Sequence, residues 1–401
     1  MVRKNGVNRE LYPIEGGVCA PEGFLAGAVC AGFTSIAKKN DLALVVSEKR
    51  CPAACVYSTS AVVGAPVTVS KRHLKYGQSV AVLINSGIAN VFQPDGEVLC
   101  EKVCQSMANL IKCDRADVLI ASTGKIGKKL SLTTFEPSLK LLANSLSASD
   151  SASFSAAQAI MTTDKRAKQL SYSFQLGDFT CKIGAIFKGN QRVSPHMATT
   201  LGVITTDVNI SSEMLQRAFS TVAKDTFNLL DIDGVASPND MFCIMANGRA
   251  GNCKIETMDT EYKKFSFILQ EFAIKICKMI AKEGEHEKLL VCRVQGAKSK
   301  QASRAIAKKI ASSSELKKAI FENRMDRETL CCAIVDAGAK DDFSALTISI
   351  KSSKGKIVFF EENQALMFSE MIMEELLDSE EIELTVDLSK GNFASVAFSG
   401  I

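Results

Sequence analysis

The chain has 401 residues, of which 46% are hydrophobic and 23% are charged, and its mean hydropathy is +0.09. These values predict a soluble protein with a large buried core, in one big domain or two closely packed ones. The net charge of +4 is spread along the chain, and with no Trp and only 5 Tyr the composition disfavours nucleic acid as a partner.

No apolar run in the sequence is long enough to cross a membrane, and no signal-peptide core follows Met1. We therefore expect a cytoplasmic protein without a membrane partner. The 14 Cys form no Cys-x-x-Cys pair and the chain has only 3 His, which argues against a zinc site. Most of these Cys are expected to be small buried apolar residues.

The first two thirds of the chain predict strands that alternate with helices. Short apolar runs indicate buried strands at 42–46, 80–84 and 118–121, and apolar spacing indicates a helix at 101–112. A hairpin is predicted at 172–187 with its turn at Gly177-Asp178, followed by a strand at 203–206.

The remainder continues the same alternation. Ser211 or Ser212 is suited to cap a helix that runs to about Phe227. Further elements are predicted, in order, as a helix at 262–282, a strand at 289–294, a helix at 302–311, a hairpin turning at Lys354-Gly355 and a strand at 382–388. Because several connections are hairpins, we predict an α/β fold of mixed and antiparallel sheets layered with helices.

The segment from Lys188 to Leu201 has the strongest chemical interest. It contains Ala198-Thr199-Thr200 between the hairpin and the next strand, which by itself is only a polar start to a strand. A threonine hydroxyl is a weak nucleophile and needs a base. Cleavage just before Thr199 would free an α-amine, of ordinary pKa near ~8, beside that hydroxyl to act as its base.

The same segment resembles a family motif. It is similar to the self-cleavage site of the ornithine acetyltransferases, which are bifunctional glutamate N-acetyltransferases. The similarity lies in Lys188-Gly189 and in Pro195-x-Met197-Ala198-Thr199-x-Leu201. Further similar stretches occur in the family's order, at 17–24, 41–46, 85–90, 121–127, 159–164, 204–207, 239–240, 246–248 and 319–321. The chain is thus identified as a divergent member, which implies that family's fold, built from two fragments of one precursor.

The resemblance implies roles for matching residues. Thr199 corresponds to the nucleophile, with cleavage between Ala198 and Thr199, and Thr123 and Gly124 correspond to the oxyanion hole. Thr162 and Lys188 correspond to substrate-binding residues. The alternative for Thr123-Gly124 is a plain turn, which is compatible with the role, and the alternative for Lys188 is a solvated lysine at a strand end.

Other candidates are weaker. Asp231-Ile-Asp233-Gly234 is similar to the start of a metal loop, but no further ligands follow at the required spacing, so a structural role is favoured. The three histidines, His73, His196 and His286, stand alone and are expected to be structural. No metal and no cofactor are predicted, with acetyl-CoA as an optional donor substrate.

The sequence departs from the family pattern around the amino-acid pocket. Asn323 stands where the family has a substrate-binding Glu, and an amide pairs poorly with an ammonium group. Gln191 and Arg192 replace a Gly and a Met, and 91–94 replaces a small polar turn. The sequence ends at Ile401, before a family tail that contacts substrate.

The predicted function is acetyl transfer between amino acids by a ping-pong acyl-threonine mechanism, from N-acetylornithine to glutamate in arginine biosynthesis. The fragments would be 1–198 (alpha) and 199–401 (beta), assembling as a heterotetramer of two alpha and two beta fragments. Three alternatives stay open: a paralogue with another donor and acceptor, a non-catalytic family member, and an amidase or peptidase with water as the acceptor.

Overall fold

The computed structural model describes residues 11–190, 200–232, 237–283, 288–337, 341–362 and 364–401. In this part of the chain the strands are β1 (Tyr12–Pro13), β2 (Phe24–Val29), β3 (Leu42–Tyr57), β4 (Gln78–Asn85), β5 (Val118–Ser122), β6 (Lys168–Leu176), β7 (Phe179–Lys188), β8 (Leu201–Thr206), β9 (Leu230–Asp231), β10 (Met241–Ala246), β11 (Leu289–Ala297), β12 (Thr347–Ser352), β13 (Gly355–Glu361), β14 (Gln364–Ala365), β15 (Glu381–Asp387) and β16 (Phe393–Gly400).

The helices of the described residues are α1 (Ala65–His73), α2 (Gly96–Ile111), α3 (Leu132–Asn144), α4 (Asp150–Ala159), α5 (Ser212–Asp225), α6 (Thr260–Ala281), α7 (Lys300–Ala311), α8 (Ser314–Phe321), α9 (Arg327–Val335) and α10 (Glu370–Leu377). Short 3₁₀ turns occur at Gly17–Cys19, Leu74–Tyr76, Arg115–Asp117 and Phe227–Leu229. The predicted α/β class with mixed sheets is confirmed.

The chain divides into two compact units. The first is formed by the described residues within 1–189, 199–222 and 237–272, and the second by those within 190–198, 223–236 and 273–401. The predicted alpha and beta fragments, 1–198 and 199–401, are defined by cleavage and not by compactness. This division into units therefore does not test them, and they stay predictions.

A nine-stranded sheet organises the first unit. Its order is β1-β6-β7-β8-β10-β3-β4-β5, with β2 also paired to β3. β8 is parallel to β10 and β4 is parallel to β5, whereas the other pairs are antiparallel. β3 serves two parts of this sheet, because 42–47 pairs with β2 and 53–57 pairs with β10, on either side of an irregularity between Val46 and Cys51.

Two apolar clusters stabilise this unit. One joins residues of β3, β4 and β5 to residues of β8, β10 and α4: Val45, Val82, Leu119, Val203, Cys243 and Ala156. The other covers the opposite side of the β3–β5 region with α2 and α3: Leu44, Leu83, Ile120, Val103 and Leu139. Each fully buried aliphatic side chain contributes roughly 1.5–3 kcal/mol.

The second unit is a seven-stranded sheet in the order β14-β13-β12-β15-β11-β16-β9. β11 is parallel to β15, β16 is parallel to β9, and the other pairs are antiparallel. Its core packs this sheet against α7–α10, with members such as Val294, Ile306, Ile320, Leu376 and Leu384. Ser and Asp side chains cap four of these helices by accepting a hydrogen bond from the first turn, at Ser299, Ser313, Asp326 and Ser369.

The predicted elements are all present, with adjusted ends. The helix expected at 101–112 begins earlier, at Gly96, because Leu99 and Cys100 extend its buried stripe. Ser211, rather than Ser212, caps α5, since its hydroxyl accepts from the Met214 N–H at 3.3 Å. Nine of the 14 Cys are buried, among the described residues that include them all.

Candidate functional site

The turn after β5 presents two unused hydrogen-bond donors. Gly124 has φ +132°, and a Cβ placed there would lie 2.3 Å from the carbonyl carbon of Gly87, so only glycine fits. The backbone on either side is fixed, because Thr123 N donates to Asn85 O (2.9 Å) and Lys125 N donates to Gly87 O (3.1 Å). Within the described residues, the Thr123 hydroxyl and the Gly124 N–H have no protein acceptor.

Lys188, the last residue of β7, is buried. Its side chain is 1% exposed, and its ammonium group donates to the Thr162 hydroxyl at 2.6 Å. The alternative of a solvated strand-end lysine is therefore wrong. Since Thr162 follows α4 and Lys188 ends β7, the structure brings together two predicted substrate-binding residues that are 26 positions apart.

Asp164 organises the surroundings of Lys188. Its carboxylate accepts from Lys168 Nζ (2.8 Å), Gly189 N (2.8 Å) and Thr162 N (3.0 Å), and it lies 3.8 Å from Lys188 Nζ. Burial opposes ionisation of this group, but Lys188, Lys168 and the Gly189 N–H outweigh it and lower the pKa of Asp164 to about 2.

Two lysines share this one carboxylate. Burial lowers the pKa of Lys168 and of Lys188, against the opposing effect of Asp164. Asp240 is a second carboxyl group near Lys188, and its charge also opposes the lowering of the Lys188 pKa.

The start of β8 lies at the same end of the sheet. Leu201 is in register with Lys188 of β7 and with Met241 of β10. Thr200, which directly follows the predicted nucleophile in the chain, donates its N–H to Asp240 Oδ1 at 2.7 Å. Among the described residues no hydrogen-bond partner reaches the second, buried oxygen of Asp240, and burial raises the pKa of this carboxyl well above its usual range.

Two hydrogen bonds connect this strand start to the Gly124 turn. Asn239 donates its side-chain amide to Ala89 O at 2.6 Å, and Ala89 N donates to Lys125 O at 3.0 Å. The residues adjoining Asp240 and Gly124 are thus joined through one loop. We define the candidate site as Thr123, Gly124, Thr162, Lys188 and Thr200, together with Asp164 and Asp240.

Several of the predicted site residues lie outside the part of the chain that the structure describes. Ala198 and Thr199 lie outside the described residues, as do His196, Gln191 and Arg192. The predicted cleavage site and nucleophile therefore stay predictions.

The weaker candidates have structural surroundings where they are described. Asp231 is buried in the second unit and pairs with Lys317 at 3.2 Å, while Asp233 and Gly234 lie outside the described residues. His73 is held between Val118 O (2.8 Å) and the Glu101 carboxylate (3.0 Å). His286 is likewise outside the described residues.

The described residues contain neither a metal-binding cluster nor a helix suited to span a membrane. No three or more His, Cys, Asp or Glu side chains come together there in a way that could bind a metal ion. None of the described helices combines the length and the apolar run that crossing a bilayer requires.

Asn323, the main departure from the family pattern, has a structural explanation. It adopts φ +57° directly after α8, a left-handed conformation that Asn tolerates better than Glu does. Its N–H donates to Ile320 O at 3.0 Å, and its side-chain oxygen accepts from Lys288 Nζ. Lys288 also donates to Phe321 O at 3.3 Å, so these two residues together end the helix.

The loop at 91–94 is also well anchored. The Gln93 side chain both accepts from Leu130 N (3.0 Å) and donates to Leu130 O (3.1 Å), which ties this loop to the segment after Gly124. Phe92 beside it has φ +57° and is 76% exposed. The replacement of a small polar turn thus places an exposed aromatic ring on a loop connected to the Gly124 turn.

Sequence reasoning gave no individual role to Asp164, Lys168 or Asp240. Asp164 and Asp240 stood inside family-like stretches, which was the one available signal. Lys168 follows Asp164 by four positions, but the intervening residues are not helical, so this spacing carried no information.

Comparison with known proteins gives consistent results. The profile of the ArgJ family matches residues 25–400. Proteins called arginine biosynthesis bifunctional protein ArgJ are 32% identical in Caldanaerobacter subterraneus, over 96% of this chain and 95% of that one, and 34% identical in Staphylococcus epidermidis, over 94% of each.

Two solved structures were also matched. The ArgJ protein of Bacillus halodurans is 27% identical with a TM-score of 0.45, covering 47% of this chain and 98% of that chain. The ornithine acetyltransferase of Mycobacterium tuberculosis, complexed with ornithine, is 29% identical with a TM-score of 0.39, covering 40% and 88%. From the family profile and the extent of the sequence matches, we conclude that this chain belongs to the ArgJ family, which confirms both the predicted resemblance and the predicted enzyme class, an N-acyltransferase.

Proposed function

We propose that this protein cuts itself between Ala198 and Thr199 and then transfers an acetyl group from N-acetylornithine to glutamate, through an acyl-threonine intermediate, in arginine biosynthesis. The observation that carries the proposal is the pair of unused donors at Thr123 and Gly124, connected to the strand that begins after Thr199. The names of the relatives, arginine biosynthesis bifunctional proteins, support the pathway.

The cleavage step is a net hydrolysis. The Thr199 hydroxyl attacks the Ala198 carbonyl carbon, the C–N bond to residue 199 breaks, and an ester replaces the amide. Water then cleaves the ester, leaving a carboxylate on Ala198 and a protonated α-amine on Thr199. Because Thr200 N is fixed to Asp240, the chain on the product side of the cut is held in place as it separates.

In each acetyl transfer the freed α-amine, in its neutral form, takes the proton of the Thr199 hydroxyl. The hydroxyl oxygen attacks the acetyl carbonyl of the donor, and the departing amine receives the proton. The negative charge on the carbonyl oxygen is stabilised by the Thr123 hydroxyl and the Gly124 N–H. The acceptor amine then attacks the acyl-threonine ester by the reverse sequence, which is a ping-pong mechanism.

Lys188 is suited to bind the carboxylate that both amino-acid substrates carry. Its ammonium group is kept in position by Thr162 and lies 3.8 Å from the Asp164 carboxylate. A substrate carboxylate that paired with this ammonium group would be held in a fixed place, so binding and orientation of the reacting acyl group are coupled. Neither step needs a metal or a nucleotide cofactor, and acetyl-CoA remains a candidate donor.

Asn323 favours a second candidate, the same chemistry with a different acceptor. The side chain of Asn323 is uncharged, and its amide oxygen already accepts from Lys288 at the end of α8. It therefore lacks the negative charge that would bind a substrate ammonium group. A panel of acceptor amines, offered to the acetylated enzyme, distinguishes the two. Transfer to another amine in preference to glutamate would favour the second candidate.

The sheet of the first unit supports the proposal that the fragments stay together. β8 and β10 follow residue 198 but lie between β7 and β3, which precede it. Fragments 1–198 and 199–401 would share this sheet and its core, and we propose that two such pairs form the heterotetramer.

The first experiment is the intact mass of the purified protein under denaturing conditions. Two fragments dividing at Ala198–Thr199, and one uncut chain for Thr199→Ala, are expected. Thr221→Ala is the matched control, because its hydroxyl is exposed on α5 and contacts only its own helix, at Arg217 O. A wild-type chain that stays uncut for days contradicts the proposal and favours the non-catalytic alternative. Release of free acetate without an acetylated acceptor favours the amidase alternative.

A further inference from the structure

The loop between β2 and β3, residues 30–41, packs against the turn that holds Gly124. A Cβ placed on Gly87 would lie 2.8 Å from the Phe33 carbonyl oxygen, and Gly87 in turn packs against Gly124. The loop is held in shape by Asp41, a fully buried carboxylate that accepts two backbone N–H groups of the same loop at 2.7 and 2.8 Å. This anchoring places the loop beside the two unused donors of the candidate site.

Lys39 extends from the same loop to the other part of the site. Its ammonium group donates to the Met161 carbonyl oxygen at 2.9 Å, and Thr162, the next residue, accepts from Lys188 at 2.6 Å. The Met161 carbonyl is uncharged, and no carboxylate within the described part of the chain forms an ion pair with Lys39. Burial lowers the pKa of Lys188, two carboxylates oppose this, and the charge of Lys39 lowers the pKa further. Two ammonium groups thus lie near each other, and the described residues supply a counter-ion to only one of them.

We propose that Lys39 is a second carboxylate-binding residue of this site, and that it selects a dicarboxylic amino acid as the acetyl acceptor by pairing with the side-chain carboxylate. Lys188 binds the α-carboxylate that every amino-acid substrate carries, whereas Lys39 binds the group by which glutamate differs from ornithine. This role rests on the proposed function, because glutamate is the acceptor there. It makes Lys39 a specificity-determining residue with no part in the chemical steps.

The distance between the two ammonium groups suits such a ligand. By standard bond lengths, the carbonyl oxygen of Met161 and the hydroxyl oxygen of Thr162 are at most about 5 Å apart. With hydrogen bonds of 2.9 and 2.6 Å to these oxygens, Lys39 Nζ and Lys188 Nζ lie within about 11 Å of each other. The two carboxyl carbons of extended glutamate are about 5 Å apart, and a charge-assisted hydrogen bond adds about 2.8 Å at each end. With its carboxylate oxygens, glutamate thus spans ammonium groups up to about 12 Å apart.

The test is kcat/KM for each substrate, because in a ping-pong mechanism the donor and acceptor values report separate half-reactions. Lys39→Met keeps the apolar stem of the side chain but removes its charge. It should lower kcat/KM for glutamate about tenfold or more, as expected for the loss of a hydrogen bond between charged groups. The value for N-acetylornithine, which has no side-chain carboxylate, should stay within about twofold of the wild type. Lys38→Met is the matched control, since it removes the same charge from the neighbouring, exposed position, and both of its values should match the wild type.

A second measurement does not depend on turnover. Calorimetric titration of the purified protein compares glutamate with 2-aminopentanoate, which has the same carbon chain but no side-chain carboxylate. The wild type should bind glutamate about tenfold more tightly than 2-aminopentanoate, and Lys39→Met should bind the two alike.

The outcomes separate this role from the proposed function. If acetyl transfer occurs, the role of Lys39 is refuted and the proposed function stands when Lys39→Met leaves the glutamate value unchanged or lowers both values equally. The same conclusion follows when Lys38→Met gives the same loss as Lys39→Met. If the wild type transfers no acetyl group to glutamate, the proposed function fails, and the titration alone decides the role of Lys39. A wild type without a preference for glutamate in that titration overturns the role.

Discussion

Replacing Asp164 by Asn tests the charge cluster at the candidate site. The carboxylate is the counter-ion of two buried lysines, Lys168 at 2.8 Å and Lys188 at 3.8 Å, and both lysines are 1% exposed. Removing one partner of a buried ion pair leaves an uncompensated charge and costs about 3–5 kcal/mol. Since a whole domain is stable by only about 5–15 kcal/mol, the loss should be large.

The pH dependence of folding stability gives a second, independent value for the contribution of the Asp164 carboxylate. The pKa of Asp164 falls from 3.8 to about 2 on folding, which corresponds to roughly 2 kcal/mol of stability above pH 3.8. Because the folded-state pKa is the lower one, this contribution is present above pH 3.8 and is lost as the pH falls from 3.8 towards 2. Asp164→Asn should lack this part of the acid destabilisation.

The assay is urea unfolding followed by circular dichroism, which suits a chain without Trp. Glu256→Gln, which breaks the exposed pair with Lys254, should change the free energy of unfolding by less than about 1 kcal/mol. The double variant Asp164→Asn with Lys168→Met should recover part of the loss, because it also removes the buried ammonium group that pairs with Asp164. A single Asp164→Asn variant no less stable than Glu256→Gln would refute the reasoning.

Three further predictions concern other parts of the first unit. Thr123→Ala should lower kcat by about 10²–10³ with little change in stability, since it removes one oxyanion donor, and steady-state kinetics beside Thr221→Ala would check this. Burial raises the pKa of Asp207 to about 6, so its ionisation destabilises the fold as the pH rises from 3.8 through 6. Asp207→Asn, which keeps an acceptor for Lys182 N, should therefore raise the melting temperature at pH 7 but not at pH 4. Fragment 1–198 expressed alone should fail to fold and should become soluble when 199–401 is co-expressed, because β8 and β10 complete its sheet. A soluble, folded 1–198 fragment would contradict this.

Much of the fold could be predicted because its strands are short apolar runs bounded by polar residues. β3, β4 and β5 and the β6–β7 hairpin carry this pattern, and they form most of the first unit. β16 was missed, although it lies inside the second sheet between β11 and β9. Its sequence, Phe393-Ala-Ser-Val-Ala-Phe398, mixes small and polar residues, and its burial comes from pairing with β11 and β9 rather than from its own hydrophobicity.

The candidate site was predictable only in part, for a related reason. The family motif indicated Thr123, Gly124, Thr162 and Lys188, but not what each of them contacts. The contact of Thr200 with Asp240 spans 40 positions and depends on the parallel pairing of β8 with β10, which no local pattern encodes. The burial of Lys188 likewise follows from Asp164, whose importance lies in its position relative to two lysines rather than in its residue type.

The interleaving of β8 and β10 with earlier strands has a consequence for synthesis on the ribosome. When residue 198 has just been made, β7 and β3, which lie on either side of the β8–β10 pair, exist but β8 and β10 do not, so the core around Val203 and Cys243 is incomplete. Asp240, which holds the N–H of Thr200 beside the proposed cut, is translated still later. A nascent chain therefore cannot complete these surroundings until residue 240 has been made, and every cut molecule would contain its two fragments in equal number.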